Sequence, residues 1–316
     1  MSILEVRDLY IQYLTRKGAA KAVDGISFSV EKNTTLGLIG ESGCGKTTTA
    51  MAIMRFIMPP GKIMGGKIIF EGNDIVKIPE EKIRNLRGEK LTIVRQEAQN
   101  ALNPVMNIGD QIAEVILEHE NISKRDAWER AKQQLDLVGI IHKRVKSYPH
   151  ELSGGMRQRV MIAIATACNP DFLILDEPIT GLDVIVQRQL LILINNLREK
   201  LNLTATFIAH DLSVISETCD NVVVMYAGKI MEKASKMDLF NNPMHPYSKA
   251  LIKAYPSIRG EKKELMSIPG VPPSLIDPPR GCRFNPRCKY ATHICREEEP
   301  EIREVNGHSV ACHLIK

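Results

Sequence analysis

The residues Gly40-Glu41-Ser42-Gly43-Cys44-Gly45-Lys46-Thr47 concentrate more usable chemistry than any other stretch of this sequence. They fit the spacing G-x-x-x-x-G-K-[ST], in which successive main-chain N–H groups wrap a phosphate, Lys46 reaches the β and γ phosphates and the Thr47 hydroxyl ligates Mg²⁺. An apolar run, Leu36 to Ile39, precedes the loop and a helical pattern, Thr48 to Ile57, follows it, which is the strand, loop, helix setting the motif needs. A second concentration is Phe172-Leu173-Ile174-Leu175-Asp176-Glu177-Pro178, an apolar strand that ends in two carboxylates. Ligands of open parallel sheets bind beyond the carboxyl ends of the strands, so Asp176 can hold Mg²⁺ through water and Glu177 can orient and deprotonate an attacking water. A third strand pattern, Ala205 to Ala209, ends in His210-Asp211. Taken singly, the acids could open a solvated loop and the histidine could be an ordinary hydrogen-bonding residue; three strand ends with such groups point to phosphoryl chemistry. Leu152-Ser153-Gly154-Gly155 opens a helix with Ser153 as N-cap, and its two glycines leave first-turn N–H groups that either hold an anion or belong to a plain capped helix.

Elements able to position these groups are legible in the first 255 residues. Short runs rich in β-branched residues (Thr35 to Ile39, Thr92 to Val94, Phe172 to Leu175, Ala205 to Ala209, Val222 to Met225) alternate with longer helical patterns, an α/β arrangement. From Val94 to Phe172 there is no strand candidate, and helical spacings recur over Gly109 to Glu120, Ser123 to Val138 and Ser153 to Cys168; we expect an all-helical subdomain over about 97–168. Asn221 to Met231 reads as a hairpin turning at Ala227-Gly228. Four of the seven cysteines and eight of the seventeen prolines lie from Pro256 onward, so the chain divides into residues 1–255 and a Pro/Cys-rich region, 256–316. The longest apolar runs, Val160 to Ala165 and Val222 to Ala227, are far too short to span a bilayer. The first residues lack the pattern of a secretory signal, so a reducing cytosolic setting is expected. A net charge of +5 neither demands nor excludes a polyanionic partner.

Together these residues resemble the ATP-binding subunits of ABC transporters. Gly40 to Thr47 looks like Walker A, Phe172 to Asp176 like Walker B with Glu177 as catalytic base, Leu152 to Gly155 like the LSGG signature and His210 like the switch histidine, all in the family's order. Gln96 resembles the Q-loop glutamine that touches Mg²⁺ and the attacking water, and Thr180-Gly181-Leu182-Asp183 resembles the D-loop, with Gly181 where Ala or Ser is commoner. The resemblance implies a P-loop ATPase core of mixed sheet with an antiparallel β edge. It implies ATP and Mg²⁺ as cofactors, held by Tyr13 on adenine (Tyr10 lies close by), by Gly40, Ser42, Gly43, Cys44, Gly45, Lys46, Thr47 and Thr48, and by Gln96, Asp176 and Asp183. Two such subunits sandwich two ATPs, so Ser153, Gly154 and Gly155 would meet the γ-phosphate held by the other subunit. Ala101-Leu102-Asn103-Pro104, His245-Pro246-Tyr247, Ile268-Pro269-Gly270 and Gly281 to Cys288 narrow the resemblance to the oligopeptide and dipeptide importer branch, which also contains nickel importers. Gln96-Glu97-Ala98 departs from that branch's usual Gln-Asp-Pro. The expected partners are two membrane-spanning permease subunits, a second ATPase subunit (a related hetero-partner or another copy) and, indirectly, an extracytoplasmic solute-binding protein, with the chain peripheral on the cytoplasmic face.

Cys282, Cys288, Cys295 and Cys312 are spaced C-x5-C-x6-C-x16-C. Clustered thiols in a reducing compartment suggest a metal, and the lack of the C-x2-4-C pairs typical of zinc sites favours a [4Fe–4S] cluster over zinc or free thiols. Cys44 reads as packing within the loop, and Cys168 and Cys219 as core. A competing function is an ABC ATPase acting on nucleic acid or the ribosome. Such proteins usually carry a long coiled coil or two cassettes, and this chain has one continuous cassette, so no nucleic-acid partner is expected.

Overall fold

A computed structural model of the chain describes residues 1–96, 101–254 and 268–315. The elements begin with β1 (Ser2–Thr15), β2 (Gly18–Glu31), β3 (Thr35–Ile39), α1 (Lys46–Ile53), β4 (Gly61–Phe70), β5 (Asn73–Asp74), α2 (Glu80–Glu89) and β6 (Leu91–Val94). Next come α3 (Ile108–His119), α4 (Lys124–Leu137), α5 (Gly154–Ala165), β7 (Phe172–Asp176), α6 (Val184–Leu201), β8 (Thr204–Ile208), α7 (Leu212–Thr218), β9 (Asn221–Tyr226) and β10 (Lys229–Ser235). The chain closes with α8 (Lys236–Asn241), α9 (Pro246–Ala254), α10 (Ile294–Glu297), β11 (Ile302–Val305) and β12 (His308–Ala311). It forms two compact units, Met1–Val76 with Phe207–Lys316, and Lys77–Thr206. Residue 97 and residues 255–256, where we placed domain limits, lie outside the described residues, as does the Glu97-Ala98 departure.

In the first unit, β1 pairs antiparallel with both β2 and β4, with Val6 opposite Phe28 and Ile11 opposite Val23 and Ile63. Leu4, Val6, Leu9 and Ile11 are fully buried, while Arg7, Asp8 and Tyr10 are exposed. Register shifts at Leu9/Tyr10 and Ile11/Gln12 break the strict alternation, which is why this strand carries no clean period-two pattern in the sequence. β3 is buried at all five positions and pairs parallel with β9, as a strand covered on both faces should. β9 turns into β10 through Ala227 (φ 47°) and Gly228 (φ 83°), the positive pair that a tight hairpin demands. Beyond β10 the sheet continues antiparallel through β12 and β11, so the Pro/Cys-rich region contributes strands to it.

The second unit holds the parallel pair β6 and β7 and the expected helices. Ile108, Ile112 and Ile116 recur at four-residue spacing on α3, and Ala127, Ala131 and Leu135 do so on α4; all are buried. Asn107, Ser123 and Ser153 cap α3, α4 and α5 through main-chain N–H groups of Asp110, Asp126 and Met156. The single tryptophan, Trp128, donates from Nε1 to Asp110 Oδ1 at 2.9 Å, tying α4 to the first turn of α3. Cys219 is buried as expected. Cys168 departs from the expectation, being half-buried in the turn after α5, where burial and the nearby Glu120 carboxylate push its thiol up to about 11.

Candidate phosphate-binding site

The loop after β3 has the form its glycines foretell. Gly40 sits at φ 146°, and a Cβ there would lie 2.1 Å from the Met225 carbonyl oxygen. Gly45, at φ 107°, is the N-cap of α1 and supplies no side-chain cap, so the first-turn N–H groups of this helix are not taken by a capping side chain. Lys46 is buried and its ammonium donates to the carbonyls of Gly40 at 2.7 Å and Glu41 at 3.2 Å. Thus the cation is held over the loop's own carbonyls, where an arriving phosphate can exchange for them. Cys44 is packed inward with Sγ 3.7 Å from Lys46 Nζ, and burial pushes its thiol up. Ser42, Gly43 and Thr47 face solvent and Thr48 is half-exposed. His210, in the same unit, is exposed just past β8, and Asp211 beside it caps α7 by accepting from Ser213 N at 2.7 Å.

Tyr13 is half-buried on β1 with its ring against Gly61, where a Cβ would come within 2.6 Å; Tyr10 lies over Gly25. The Pro/Cys-rich region borders the loop as well. Pro272, Pro273 and Leu275 share a small cavity with Glu41, Ser42, Gly43 and Cys44, and the Leu275 carbonyl accepts from Lys21 N at 2.8 Å.

In the second unit, Asp176 is buried at the end of β7. Glu177 follows in left-handed backbone (φ 49°), a conformation that costs a non-glycine residue about 1 kcal/mol or more and is retained most often where function needs it. Its Oε2 accepts from Thr180 Oγ1 at 3.2 Å. Gln96 is exposed in the turn after β6. Ser153 is exposed at the N-cap of α5, and Gly155 must be small because a Cβ would meet Val186 Cγ1 on α6 at 2.5 Å. Asp183 has a local structural task, capping α6 by accepting from the N–H groups of Ile185 and Val186 at 3.1 and 3.0 Å. Each unit therefore carries its own part of the expected set.

Sequence reasoning missed what the His-Pro-Tyr stretch does. Glu232 is fully buried and accepts from Met244 N (2.8 Å), His245 N (2.9 Å) and His308 Nδ1 (2.7 Å). His245 Nδ1 in turn accepts from Tyr247 N at 3.0 Å, and burial pushes this imidazole down to about 3. Tyr247 Oη accepts from Glu41 N at 2.9 Å, so the motif reaches the phosphate loop. Its ring packs with Tyr226 and Phe284 at 4.7 and 5.3 Å between centroids. No local pattern announces these contacts; in the sequence His245-Pro246-Tyr247 served only to narrow the family resemblance.

Cys282, Cys295 and Cys312 are buried and Cys288 half-buried. Cys282 N donates to the Cys295 carbonyl at 2.9 Å, and Gly281 is needed because a Cβ would strike that same carbonyl at 2.4 Å. Burial, with the neighbouring thiols adding to it, pushes Cys282 up to about 11 and raises Cys288 and Cys312. Among the described residues no group of three or more His, Cys, Asp or Glu side chains could hold a metal ion, which corrects the expectation of a formed metal site at these thiols. Each of Cys282, Cys288 and Cys312 has at least one other of these thiols within electrostatic reach. Among those residues, too, no helix is long and apolar enough to cross a membrane.

Residues 23–180 match the family model described as ABC transporter, and residues 231–295 match that of the oligopeptide/dipeptide transporter C-terminal region. The chain is 46% identical to the oligopeptide transport ATP-binding protein OppD of Bacillus subtilis, over 99% of this chain and 89% of that protein. It is 44% identical to a probable peptide ABC transporter ATP-binding protein of Sinorhizobium fredii, over 98% of this chain and 94% of the relative. With the dipeptide transport ATP-binding protein DppD of Escherichia coli the identity is 42%, over 99% and 97%. Among solved structures, the ADP- and Pi-bound dimeric cassette MJ0796 shares the fold at TM-score 0.66, with 20% identity over 74% of this chain and 98% of that one. The cassette cbiO1 of Clostridium perfringens, part of the ABC transporter complex cbiONQ, gives the same TM-score at 26% identity over 76% of this chain and 91% of that one.

Proposed function

The chain belongs to the ATP-binding subunits of ABC transporters, in the branch with the oligopeptide/dipeptide C-terminal region, and from that premise we propose that it hydrolyses ATP to drive peptide import. The observation that carries the reading is the loop Gly40–Thr47, with Lys46 held on its own carbonyls at the start of α1. Lys46 and the loop N–H groups bind the phosphates, Thr47, Asp176 and Gln96 hold Mg²⁺, and Glu177 activates water, with His210 acting on the γ-phosphate. Tyr13 stacks on adenine. Ser153, Gly154 and Gly155 serve the ATP of a second ATPase subunit, and Asp183 lies at the junction with it. Residues 1–255 form the ATPase domain and 256–316 the C-terminal domain. The partners are two permease subunits, which the Gln96 loop and the helices around 97–168 contact at the cytoplasmic face of the membrane.

For Cys282, Cys288, Cys295 and Cys312 a [4Fe–4S] cluster is the reading retained over zinc. Burial, with the neighbouring thiols adding to it, raises Cys282, Cys288 and Cys312, and the positive charge of a bound cluster would draw off the protons that burial retains. Its role would be a structural staple for a proline-rich segment. Glu177→Gln tests the ATPase assignment: nucleotide binding should persist while steady-state phosphate release with the permease subunits present falls at least about a hundredfold. Turnover surviving that change would remove Glu177 as the base.

A further inference from the structure

Glu41, the second residue of the phosphate loop, is gripped at every polar atom. Its N–H donates to Tyr247 Oη at 2.9 Å and its carbonyl accepts from Lys46 Nζ at 3.2 Å. Its carboxylate takes a two-pronged bridge from Arg287, Nη1 to Oε2 at 2.5 Å and Nη2 to Oε1 at 2.9 Å. Arg287 is buried, and its remaining donors are also engaged: Nε with the Pro269 carbonyl at 2.8 Å, Nη2 with that of Ile268 at 3.1 Å, and Nη1 with Tyr226 Oη at 3.1 Å. Its guanidinium carbon also lies 5.7 Å from the centre of the Tyr226 ring. All five N–H groups of an arginine are thereby spent, and the Glu41 bridge holds its pKa well above the usual range.

We propose that Arg287, supplied by the Pro/Cys-rich region, is a positioning residue for ATP binding: it cancels the Glu41 charge inside the phosphate loop and pins the start of the loop in its receptive shape. The inference rests on reading Gly40–Thr47 as the ATP site. Two physical requirements meet here. A site for a triphosphate should carry no uncompensated carboxylate, yet Glu41 is one of its residues, and its side chain is only 24% exposed. The Glu41 carbonyl is also one of the two that hold Lys46, so movement of this residue displaces the phosphate-binding cation as well. Lysine could cancel the charge, but it lacks the planar fork that fixes both carboxylate oxygens while reaching two carbonyls behind.

The test is equilibrium binding of a fluorescent, non-hydrolysable ATP analogue with Mg²⁺ to the full chain, for wild type, Arg287→Gln, Glu41→Gln, the double variant and Arg287→Lys. Arg287→Gln should weaken binding on the order of ten- to a hundredfold. Adding Glu41→Gln should restore most of that loss, because the uncompensated carboxylate is then gone, and Arg287→Lys should fall between. The deficit of Arg287→Gln should also shrink as salt is raised, a dependence that a purely structural staple would not give. Unchanged affinity in Arg287→Gln, or a double variant as weak as the single one, overturns the role assigned to Arg287. Failure of the wild type to bind the analogue overturns the ATP-site reading beneath it.

Discussion

Replacing Glu232 by alanine removes a carboxylate that is 0% exposed and serves three donors at once, the N–H groups of Met244 and His245 and His308 Nδ1. Each donor left buried without an acceptor costs about 1–3 kcal/mol, and the two main-chain groups at the entry to α9 can recover part of it by hydration, so the net loss should be about 3–6 kcal/mol. With an unfolding entropy of about 2.1 cal/mol/K per residue, a chain of 316 residues loses about 1.5 °C of Tm per kcal/mol, and the expected fall is about 5–9 °C. Differential scanning calorimetry of Glu232→Ala, with Glu232→Gln as the shape-preserving control, reads this directly. Glutamine keeps one acceptor and should lose less than half as much. A Tm for Glu232→Ala within about 1 °C of wild type would refute the claim that this carboxylate joins β10, the His-Pro-Tyr turn and β12.

Other expectations follow from single features. His245, held near 3 against an ordinary 6.5, stays neutral in the fold, so between those values the unfolded chain binds a proton that the folded one refuses and stability falls as pH drops. His245→Asn should flatten the decline in Tm between pH 6.5 and about 4; an unchanged slope would show that the decline comes from other groups. Gly40→Ala drives a methyl into the Met225 carbonyl and should cost at least about 3 kcal/mol, with nucleotide binding lost alongside; near-wild-type affinity would contradict the loop geometry. Anaerobically purified protein should absorb near 400 nm and contain iron, and serine at Cys282 or Cys295 should abolish both; a colourless, iron-free wild type would remove the cluster.

The residues read from the sequence as a phosphate site were legible because their signals are local. A run such as Leu36–Ile39 followed by G-x-x-x-x-G-K-T needs nothing from the rest of the chain, and the caps at Ser123 and Ser153 announce their helices within four residues. β9 and β10 were legible through the Ala227-Gly228 turn. The long strands β1 and β2 were not, because bulges shift their register and Arg7, Asp8 and Asp24 interrupt the apolar pattern. Least legible was the joining of the Pro/Cys-rich region to the rest of its unit. Arg283 with Asp24 and Arg287 with Glu41 pair across most of the chain's length, and a charge has no sequence-level mark that names its distant partner. The thiols illustrate the opposite limit: spacing suggested a ligand set, but spacing cannot say whether side chains converge on one point.

The course of β12 bears on how the chain could be shortened. Val310 and Ser309 lie opposite Glu232 and Lys233, so the last strand closes one side of β10. A chain ending at Ala254 would strip the β12 partners from Glu232 and Lys233, leaving that stretch of β10 as an open edge with the apolar Met231 and Ala234 on either side. Such an edge recruits strands from other molecules. A cassette trimmed to its catalytic motifs should therefore self-associate more readily than the full chain, which light scattering of the two would read.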